Sequence, residues 1–525
     1  MAKVTHGRTR DLVDGALLVE YPDASDDAAN QAATALARDL AQRNPSGLLE
    51  AIPGARTLLL LFDPLVFARG SLEPLLSSPP DRAVAEPPRT VRIPVCYGGE
   101  LGPDLEELSR MLGISSSELS RRHRDSAYRV AFIGFAPGFP YLIGLPPELH
   151  APRLASPRTR VPAGSVGIGG PYTGIYPSDT PGGWRLIGNA PVRLFDPFRS
   201  PPSLLLPGDR VAFEEIEERE HQRLRESLAS PLSSAPDEAS RPVLRVLSPG
   251  LFTSVQGAPR FGLGRSGVPA GGAMDLASFA RANAALGNTP FAPALEMTLA
   301  GPRLEVCDDC RISVAGEIEV AIDGAPVAKG RACLARAGAQ LTLGAIGPGA
   351  RAYLAIEGGI QDRLAGMVTR RLARGDELTR PGDMTSSVAA VVVGAGQLPV
   401  DEQTVRAVLG PQEEHFTETG RNTFLSTSYR VSPQSDRRGV RLEGARIELA
   451  RPADIAPEGT APGAIQVPGD GLPIVLGPDR PVTGGYAKIA TVIGADLPLI
   501  GQLRPGTAIR FRAVSIHDAI SARRG

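Results

Sequence analysis

The chain of 525 residues is long enough for several domains, and its charges nearly cancel, to a net −1 at neutral pH. That balance argues against nucleic acid or an anionic membrane as the main partner. No apolar stretch approaches the ~20 residues of a membrane span, and the first residues lack an apolar signal core, so we expect a cytoplasmic protein without membrane contact. Cys307 and Cys310 are spaced like half a zinc site, but no second pair or nearby histidine completes it, so we predict no metal site.

The first stretch of the chain predicts a small α+β domain over residues 1–85. ALLVEY and ARTLLLLFD have the apolar composition of strands. Between them, DDAANQAATALARDLAQRN has alanine and leucine at helical spacing, with Asp26 or Asp27 as its cap. The proline-rich segment SSPPDRAVAEPPRT then predicts a linker.

Residues 91–215 predict a β domain with two helices near its start. TVRIPVCY indicates a strand, while GPDLEELSRMLG and SSSELSRRH carry helix-capping signals. The stretch 134–197 is so rich in glycine and proline that helices are excluded and short strands with tight turns are favoured. Such turns leave backbone N–H groups that can line a small-molecule cleft. Residues 216–243 predict a charged helix and then a flexible linker.

The second half has the short strands and frequent turns of an all-β protein, over 244–380 and 405–525, with a linker at 381–404. MDLASFARANAAL is its clearest helix. An internal repeat connects the two halves. GSVGIGG (164–170), GGW (182–184) and PGDRVAF (207–213) are echoed by GAIQVPG (463–469), GGY (484–486) and PGTAIRF (505–511). The repeat predicts one β fold used twice.

Ordered motifs in both halves resemble known families. GFAPGFPYL, PRTRVPAGSV, TGIYP, PGGW and LFDP resemble the B subunit of the bacterial ATP-dependent 5-oxoprolinase, also called allophanate hydrolase subunit 1, a family that includes the Kip-type sporulation kinase inhibitor. PGLFTSVQ, GVPAGGAMD, LEMTLAGP, QSDRRGVRLEG and TGGY resemble the C subunit, or allophanate hydrolase subunit 2. Fused, the pair resembles the carboxyltransferase part of urea carboxylase. The resemblance implies a mainly β protein with an α+β N-terminal domain and cyclophilin-like β-barrels in tandem, with a site in the cleft between barrels.

The resemblance implies a component of an ATP-dependent 5-oxoprolinase, which opens the lactam of 5-oxoproline to glutamate with a separate A subunit. A first alternative is a biotin-dependent carboxyltransferase acting on urea or a related small amide. Its biotin would come from a partner, because none of Lys3, Lys329 and Lys488 lies in a biotin-attachment context. A second alternative is a non-catalytic Kip-like kinase regulator. A homo-oligomer is compatible with each of them.

Three residues are candidates for catalysis: His123, Asp179 and Arg158. His123 matches a histidine of the resembled family and can exchange protons near neutral pH, although a surface histidine among arginines would look the same. Asp179 is either a base or a turn cap that accepts backbone N–H groups. Arg158 is either a carboxylate or phosphate ligand, or a plain surface arginine.

Further residues are candidates for substrate binding. In the first half the candidates, which share the glycine-rich turns, are Arg160, Gly164, Ser165, Tyr176, Gly182 and Trp184. Trp184 is either a flat wall for a planar ligand or a core residue. In the second half the candidates, which match C-subunit motifs, are Arg260, Met274, Asp275, Asn283, Glu296, Gln466, Asp479 and Tyr486. Arg158, Arg160 and the turn N–H groups are the ones we expect to hold the phosphates of ATP.

The chain departs from the resembled families at several polar positions. Gly257 stands in place of an Asp, Tyr172 in place of a Gln, and Pro481 and Val482 in place of Gln and Thr. A long loop that the C-subunit family has after the position of Ile360 is missing. These departures predict either a changed substrate or a copy with reduced activity.

Overall fold

The computed structural model describes residues 7–67, 70, 74, 89–228, 242–361, 368–380 and 402–524. Most of the predicted linkers lie outside these residues, at 75–88, 229–241 and 381–401, as does the segment 362–367 that follows the position of the missing loop. In the described part of the chain, no helix has both the length and the apolar character needed to cross a bilayer.

The N-terminal domain is a four-stranded antiparallel sheet with one helix, as the sequence predicts. The sheet has the order β1-β2-β4-β3. The bounds are β1 Arg8–Val13, β2 Ala16–Glu20, α1 Asp26–Arg43, β3 Leu48–Pro53 and β4 Thr57–Phe62. Helix α1 is capped by Ser25, whose hydroxyl accepts the Ala28 N–H, and not by the predicted Asp26 or Asp27. The two aspartates lie in the first turn, where they favour the helix dipole.

The next domain closes into a seven-stranded barrel, the first barrel. Its strands run in the order β10-β7-β6-β13-β5-β12-β9, and β8 pairs with β11 outside the barrel. The bounds are β5 Thr90–Tyr97, α2 Leu105–Leu112, α3 Ser116–Asp125, β6 Tyr128–Ile133, β7 Pro140–Ile143, β8 Arg158–Val161, β9 Ser165–Gly169, β10 Tyr172–Ile175, β11 Thr180–Gly182, β12 Arg185–Asn189, β13 Arg210–Glu215 and α4 Glu218–Ser227. Its turns and short strands come from the glycine- and proline-rich stretch.

Two sheets then pack face to face in a sandwich around one apolar core. One sheet has the order β20-β19-β22-β17-β14-β24 and the other β15-β16-β23-β18-β21. The bounds are β14 Pro242–Ser248, β15 Phe252–Gln256, α5 Leu276–Ala284, β16 Ala294–Thr298, β17 Arg303–Val306, β18 Cys310–Ala315, β19 Ile318–Ile322, β20 Ala325–Pro326, β21 Cys333–Ala335, β22 Gln340–Ile346, β23 Arg351–Ile356 and β24 Glu377–Thr379.

A second barrel follows with the same strand order as the first. Its order is β30-β27-β26-β33-β25-β32-β29, and β28 pairs with β31 outside the barrel. The bounds are β25 Glu402–Leu409, α6 Glu418–Ser426, β26 Tyr429–Val431, β27 Gly439–Glu443, β28 Asp454–Gly459, β29 Ala464–Gln466, β30 Ile474–Leu476, β31 Thr483–Tyr486, β32 Lys488–Val492, α7 Leu497–Gln502, β33 Ala508–Ala513 and α8 Ile516–Arg524. The shared order confirms the repeat predicted from the sequence.

The N-terminal domain contacts both barrels. Asn30 on α1 donates one hydrogen bond to the Gly54 carbonyl of its own domain at 2.8 Å. It donates a second to the Ala131 carbonyl of the first barrel at 3.0 Å. On its other side, the Ala55 N–H donates to the Pro457 carbonyl of the second barrel at 2.7 Å. Apolar residues of β1 and β2 share a buried cluster with the second barrel. The domain therefore lies between the two barrels.

Candidate functional site

The candidate site lies where the two halves of the chain meet. The Gly138 N–H donates to the Ser266 carbonyl at 3.1 Å, which joins the loop after β6 to the loop before α5. A Cβ added to Gly134 would lie only 1.5 Å from Thr483 Oγ1 of β31, so the glycine permits this close approach between the barrels. The glycine-rich stretch of the first half and the TGGY strand of the second half therefore meet at one junction, and we take the surface beside it as the candidate cleft.

A continuous set of aromatic rings forms one wall of this cleft, in which Phe135 and Tyr172 reach the surface and Tyr141 and Tyr176 pack behind them in the core. The ring centroids of Tyr141 and Tyr172 are 5.7 Å apart, and that of Phe135 lies 6.1 Å from Tyr176. Phe135 has the left-handed backbone angle φ 64° and is 37% exposed, so its ring is presented at the surface. Burial raises the pKa of Tyr172 and of Tyr176 to about 12, which keeps both hydroxyls protonated at neutral pH.

Arg153 places a positive charge beside these rings. Burial is the largest influence on the pKa values of Tyr141, Tyr172 and Tyr176 and raises them. The positive charge of Arg153 acts in the opposite direction and lowers all three. Arg153 is exposed, and no hydrogen bond or ion pair joins its guanidinium to the described residues. Tyr486 of the second barrel is 38% exposed and acts on the pKa of Tyr141, so it lies near the aromatic rings of the first barrel. Sequence reasoning missed Arg153 because no motif marks it.

Gly182 is required by the packing of Tyr176. A Cβ on Gly182 would lie 2.5 Å from the Tyr176 hydroxyl, whose oxygen accepts the backbone N–H of Trp184. Trp184 itself is 5% exposed, with its ring centroid 5.3 Å from Phe139 and 5.5 Å from Tyr141. The structure therefore places Trp184 behind the wall, in the core, and not on the ligand side.

His123 lies in the core of the first barrel, away from the cleft. It is fully buried, which excludes the surface alternative. Its Nδ1 is 2.8 Å from the Tyr97 hydroxyl and its Nε2 is 2.9 Å from Thr173 Oγ1. Burial lowers its pKa to about 3, so the imidazole is neutral at physiological pH. This placement corrects our expectation of an acid–base group, because the ring has no access to a substrate.

The residues expected to bind phosphate are engaged within the chain. Arg158 pairs with the buried Asp104 at 2.6 Å, and Arg160 pairs with Asp179. The Asp179 carboxylate also accepts the Ala163 N–H at 2.9 Å, so it has the geometry of a turn cap. The neighbouring turn N–H groups are taken as well, since that of Gly164 donates to the Tyr176 carbonyl and that of Ser165 to the Pro162 carbonyl.

Glu296 and Arg437 form a buried ionic centre between the sandwich and the second barrel. The exposed fractions of their side chains are 1% and 6%, and their closest N–O distance is 2.5 Å. Arg437 also pairs with Asp479 at 2.8 Å and donates to the Gly272 carbonyl at 2.6 Å and to Gln256 Oε1 at 3.3 Å. The candidates Glu296 and Asp479 are therefore brought together here with Gln256, around an arginine that sequence reasoning did not select.

The same centre fixes the loop before α5. Glu296 Oε2 accepts the Met274 N–H at 2.8 Å and the Tyr353 hydroxyl at 2.9 Å. Asp275 caps α5 by accepting the Ser278 N–H at 3.0 Å, and its other oxygen accepts from Gln502 of the second barrel at 2.7 Å. Met274 and Asp275 thus hold the domains together and are buried.

Asn283 and Arg260 bind backbone near this loop. Asn283 donates from its side chain to the Ala292 carbonyl at 2.9 Å and fixes the turn after α5. The Arg260 N–H donates to the Ala270 carbonyl at 2.7 Å. Both residues therefore shape the loop that borders the cleft.

A second buried ion pair lies on strands next to Tyr486. Lys488 Nζ is 2.7 Å from Glu458 Oε1, and both side chains are at least nine-tenths buried. Gln412 donates to Glu458 at 2.8 Å. Gln466, which pairs with Lys488 across the sheet, is 7% exposed and has an Nε2 without a hydrogen-bond partner among the described residues. This amide is a buried donor close to the TGGY strand, since a Cβ on Gly484 would lie 2.4 Å from it.

The departures from the resembled families fall at different depths. Tyr172 forms part of the aromatic wall. Val482 is 1% exposed and packs in the core between the N-terminal domain and the second barrel. The Pro481 carbonyl accepts the Thr460 hydroxyl, and Gly257 is buried. Only the Tyr172 change therefore alters the wall itself. In the described part of the chain, no cluster of three His, Cys, Asp or Glu side chains could hold a metal ion.

Comparisons with known proteins match both halves. The family model for the carboxyltransferase domain, subdomain C and D, matches residues 8–205, and the model for subdomain A and B matches residues 266–513. The B subunit of 5-oxoprolinase from Escherichia coli O157:H7 is 48% identical over 178 residues, which are 33% of this chain and 82% of the relative. The C subunit of 5-oxoprolinase from Escherichia coli K12 is 33% identical over 295 residues, which are 54% of this chain and 94% of the relative.

Two further matches extend this picture. The crystal structure of TTHA0988 superposes with a TM-score of 0.79 at 35% sequence identity, covering 96% of this chain and 100% of the other. A urea amidolyase from Lachancea kluyveri is 32% identical over 312 residues, or 52% of this chain, but only 17% of that relative is covered. The tandem-barrel architecture therefore occurs, over almost its whole length, in a known structure.

Proposed function

This chain belongs to the carboxyltransferase-domain family, as a fusion of two halves that are similar to the B and C subunits of 5-oxoprolinase, and we propose that it is a component of an ATP-dependent 5-oxoprolinase. It acts in this proposal with a separate A-type subunit, and the assembly opens the lactam ring of 5-oxoproline to give glutamate. The chain is thus an enzyme component with a hydrolytic, ATP-consuming role.

One observation carries the proposal: the B-like and C-like halves meet at a single junction, beside which we place the candidate cleft. The aromatic wall comes from the B-like half and Tyr486 from the C-like half. Contacts such as that of Gly138 with Ser266, at 3.1 Å, fix the two sides of the cleft. The family's two separate subunits would therefore complete one site only together, and this chain joins them covalently.

The cleft has groups that suit a small lactam with a carboxylate. Arg153 provides a guanidinium free to pair with that carboxylate in a bidentate manner. The exposed ring of Phe135 offers a flat apolar face for the five-membered ring. With a pKa of about 12, Tyr172 keeps its proton and donates a hydrogen bond to the lactam oxygen, where negative charge develops when the amide is attacked.

The residues expected to hold the phosphates of ATP do not fit that role in this chain. Arg158 and Arg160 each pair with a carboxylate, and the turn N–H groups donate to protein oxygens. Binding a phosphate there would require these bonds to break. We propose that ATP is handled with the separate subunit and not by these residues alone.

The test is reconstitution from purified proteins. The chain alone should release no glutamate from 5-oxoproline, and addition of its cognate A-type subunit should give ATP-dependent release. Arg153→Ala should lower this rate, whereas Arg160→Ala, a change at a 76% exposed side chain that pairs with Asp179, should leave it nearly unchanged. Full activity of the Arg153→Ala variant would contradict the assignment of the cleft.

The alternative is a biotin-dependent carboxyltransferase, favoured by the description of the matched family and by the urea amidolyase relative. It predicts that activity on urea or a related amide requires bicarbonate and a biotin carrier supplied in trans. If the chain carboxylates such an amide under those conditions and forms no glutamate with the A-type subunit, the alternative replaces the 5-oxoprolinase proposal.

A further inference from the structure

The hairpin of β1 and β2 is seated on one face of the second barrel. At its turn, the Asp14 carboxylate accepts the Gly494 N–H at 2.9 Å and pairs with Arg523 of α8 at 2.7 Å. On either side of the turn, Leu12 and Ala16 join a buried apolar cluster that includes Ile493 and Ala519 of the barrel. A hairpin with a carboxylate at its tip therefore covers this face.

The first barrel has the corresponding face. In both barrels a residue at the end of a strand donates a hydrogen bond to the carbonyl of the glycine in the PAG or APG turn. The Ala190 N–H, just after β12, donates to Gly164 at 2.7 Å, and the Val492 N–H, at the end of β32, donates to Gly463 at 2.9 Å. Likewise, Ile216 lies just before α4 and Val514 lies just before α8. The backbone N–H of each donates to a carbonyl on the first strand of its barrel, β5 or β25. These matches set the correspondence used here, in which Val192, His221 and Arg225 correspond to Gly494, Ala519 and Arg523.

In the first barrel none of the described residues covers this face, which forms a pocket of about 470 Å³. It is lined by Gly164, Ala190, Val192, Arg225 and Leu228, among others. The pocket wall is fixed, because His221 on α4 is 3% exposed and its Nε2 lies 2.8 Å from Asn189 Oδ1.

Arg225 is the positively charged side chain among the residues that line the pocket, which also include the carboxylates of Asp179 and Glu226. Its guanidinium makes no hydrogen bond or ion pair with the described residues, whereas that of its counterpart Arg523 is paired with Asp14. Asp179, which also lines the pocket and acts electrostatically with Arg225, is already bonded to Arg160 and to the Ala163 N–H. The guanidinium of Arg225 is therefore available to a carboxylate from outside.

We infer that this face of the first barrel, the α4 face, docks an acidic turn of a partner protein. The partner presents a hairpin or loop with a carboxylate at its tip and aliphatic side chains on both sides, as the β1–β2 hairpin does on the second barrel. This chain's own hairpin is excluded as the occupant, since the Asp14 side chain is only 1% exposed where it lies. Resting on the proposed function, the inference assigns the face to the separate A-type subunit.

The experiment measures association of the full chain with the A-type subunit by calorimetry, for the parent and for two variants at exposed arginines of α4, one inside the pocket and one outside it. Arg225→Glu should weaken association at least tenfold, because like charges then meet at the turn. Arg223→Ala removes an exposed arginine that pairs with Glu220 outside the pocket, and it should bind within about twofold of the parent. Equal affinity of the two variants would overturn the inference while leaving the 5-oxoprolinase proposal intact.

A second arm separates failure of the inference from failure of the proposed function. If the parent chain does not bind the A-type subunit, the proposed function fails, and the face is then probed with a cyclised peptide of residues 8–20, the hairpin sequence itself. Binding of this peptide to the parent chain, lost in Arg225→Glu or when the peptide carries Asn in place of Asp14, supports an acidic-turn site. Absence of Arg225-dependent peptide binding overturns it. Equal thermal melting of the parent and both variants confirms that α4 stays folded.

Discussion

His123 and Phe424 occupy the same position in the two barrels. Each lies on the helix that precedes a strand tyrosine, Tyr128 or Tyr429, and each contacts a phenylalanine of the strand that runs parallel to the barrel's first strand. The ring centroid of His123 is 4.7 Å from that of Phe213, and the centroid of Phe424 is 4.6 Å from that of Phe511. Because phenylalanine fills this position in the second barrel, we infer that His123 fills it in the first barrel as a packing residue.

The first prediction is that His123→Phe keeps activity. The new ring fills the site as Phe424 does, but the Tyr97 hydroxyl loses its partner, which costs about 1–3 kcal/mol of stability. Reconstituted glutamate release should stay within about twofold of the parent, and urea unfolding should give the stability. A well-folded variant with a hundredfold lower rate would show that His123 has a role in catalysis.

The second prediction concerns pH and His123. The pKa of the imidazole is about 3 in the folded protein and 6.5 when unperturbed, so between these values the unfolded chain binds one more proton than the folded one. Stability should therefore fall as pH falls through this window, by up to about 1.4 kcal/mol per pH unit from this residue. Urea titrations of the parent and of His123→Phe at several pH values should show the smaller slope in the variant. Identical slopes would mean that the ring is solvated.

The third prediction has the opposite sign and concerns Glu50. Burial raises the pKa of this carboxyl, which accepts the Gly264 N–H beside the cleft loop, to about 7 from 4.5. The folded state then binds the extra proton, so stability should fall as pH rises from 4.5 to 7. Glu50→Gln keeps an acceptor oxygen without the charge. It should match the parent near pH 4 and exceed it above pH 7 by on the order of 2–3 kcal/mol, as measured by urea unfolding at both pH values; a parent equally stable at both would contradict it.

The fourth prediction compares neighbouring arginines. Arg437→Met leaves Glu296 and Asp479 without their shared partner in a buried site and should cost about 3–5 kcal/mol. Arg438→Ala removes a 68% exposed side chain that pairs only with Asp436 among the described residues, and it should change stability by under about 0.5 kcal/mol. Urea unfolding of the two variants provides a matched comparison. If Arg437→Met lost as little stability as Arg438→Ala, the ionic centre would contribute little to folding.

The fifth prediction separates wall from core in the cleft. Trp184→Ala should lose about 3–5 kcal/mol of stability, because the ring packs against Phe139 and Tyr141. Tyr486→Ala should leave stability nearly unchanged, since its ring is 38% exposed, and should raise the KM for 5-oxoproline. Thermal melts together with steady-state kinetics distinguish the two. A Trp184→Ala protein that melts like the parent would place the indole at the surface.

The sequence predicted the fold well because its signals are local. Apolar strands such as ARTLLLLFD and the helix within MDLASFARANAAL appear where expected, and the GSV and GAI copies predicted the barrel repeat. The cap of α1 was wrong by one position, since Ser25 competes successfully with the aspartates that follow it.

The site was harder to predict because burial depends on tertiary contacts. Arg158 and Arg160 look available in the chain, but Asp104 and Asp179 reach them only in the folded barrel. Arg153 has no motif of its own, and its position beside the tyrosines depends on how the loop before β8 is placed. Unpaired and paired arginines cannot be distinguished by spacing alone.

The seating of the N-terminal hairpin has a consequence for how the two halves stay together. β1 and β2 bury apolar side chains against the second barrel, and Asp14 pairs with Arg523. These noncovalent contacts bind the B-like half to the C-like half independently of the covalent link through 229–241. A chain divided within 229–241 should behave as a split protein whose fragments reassemble on mixing. The covalent fusion then acts chiefly by raising the local concentration of one half around the other, so that assembly no longer depends on how much of each is made.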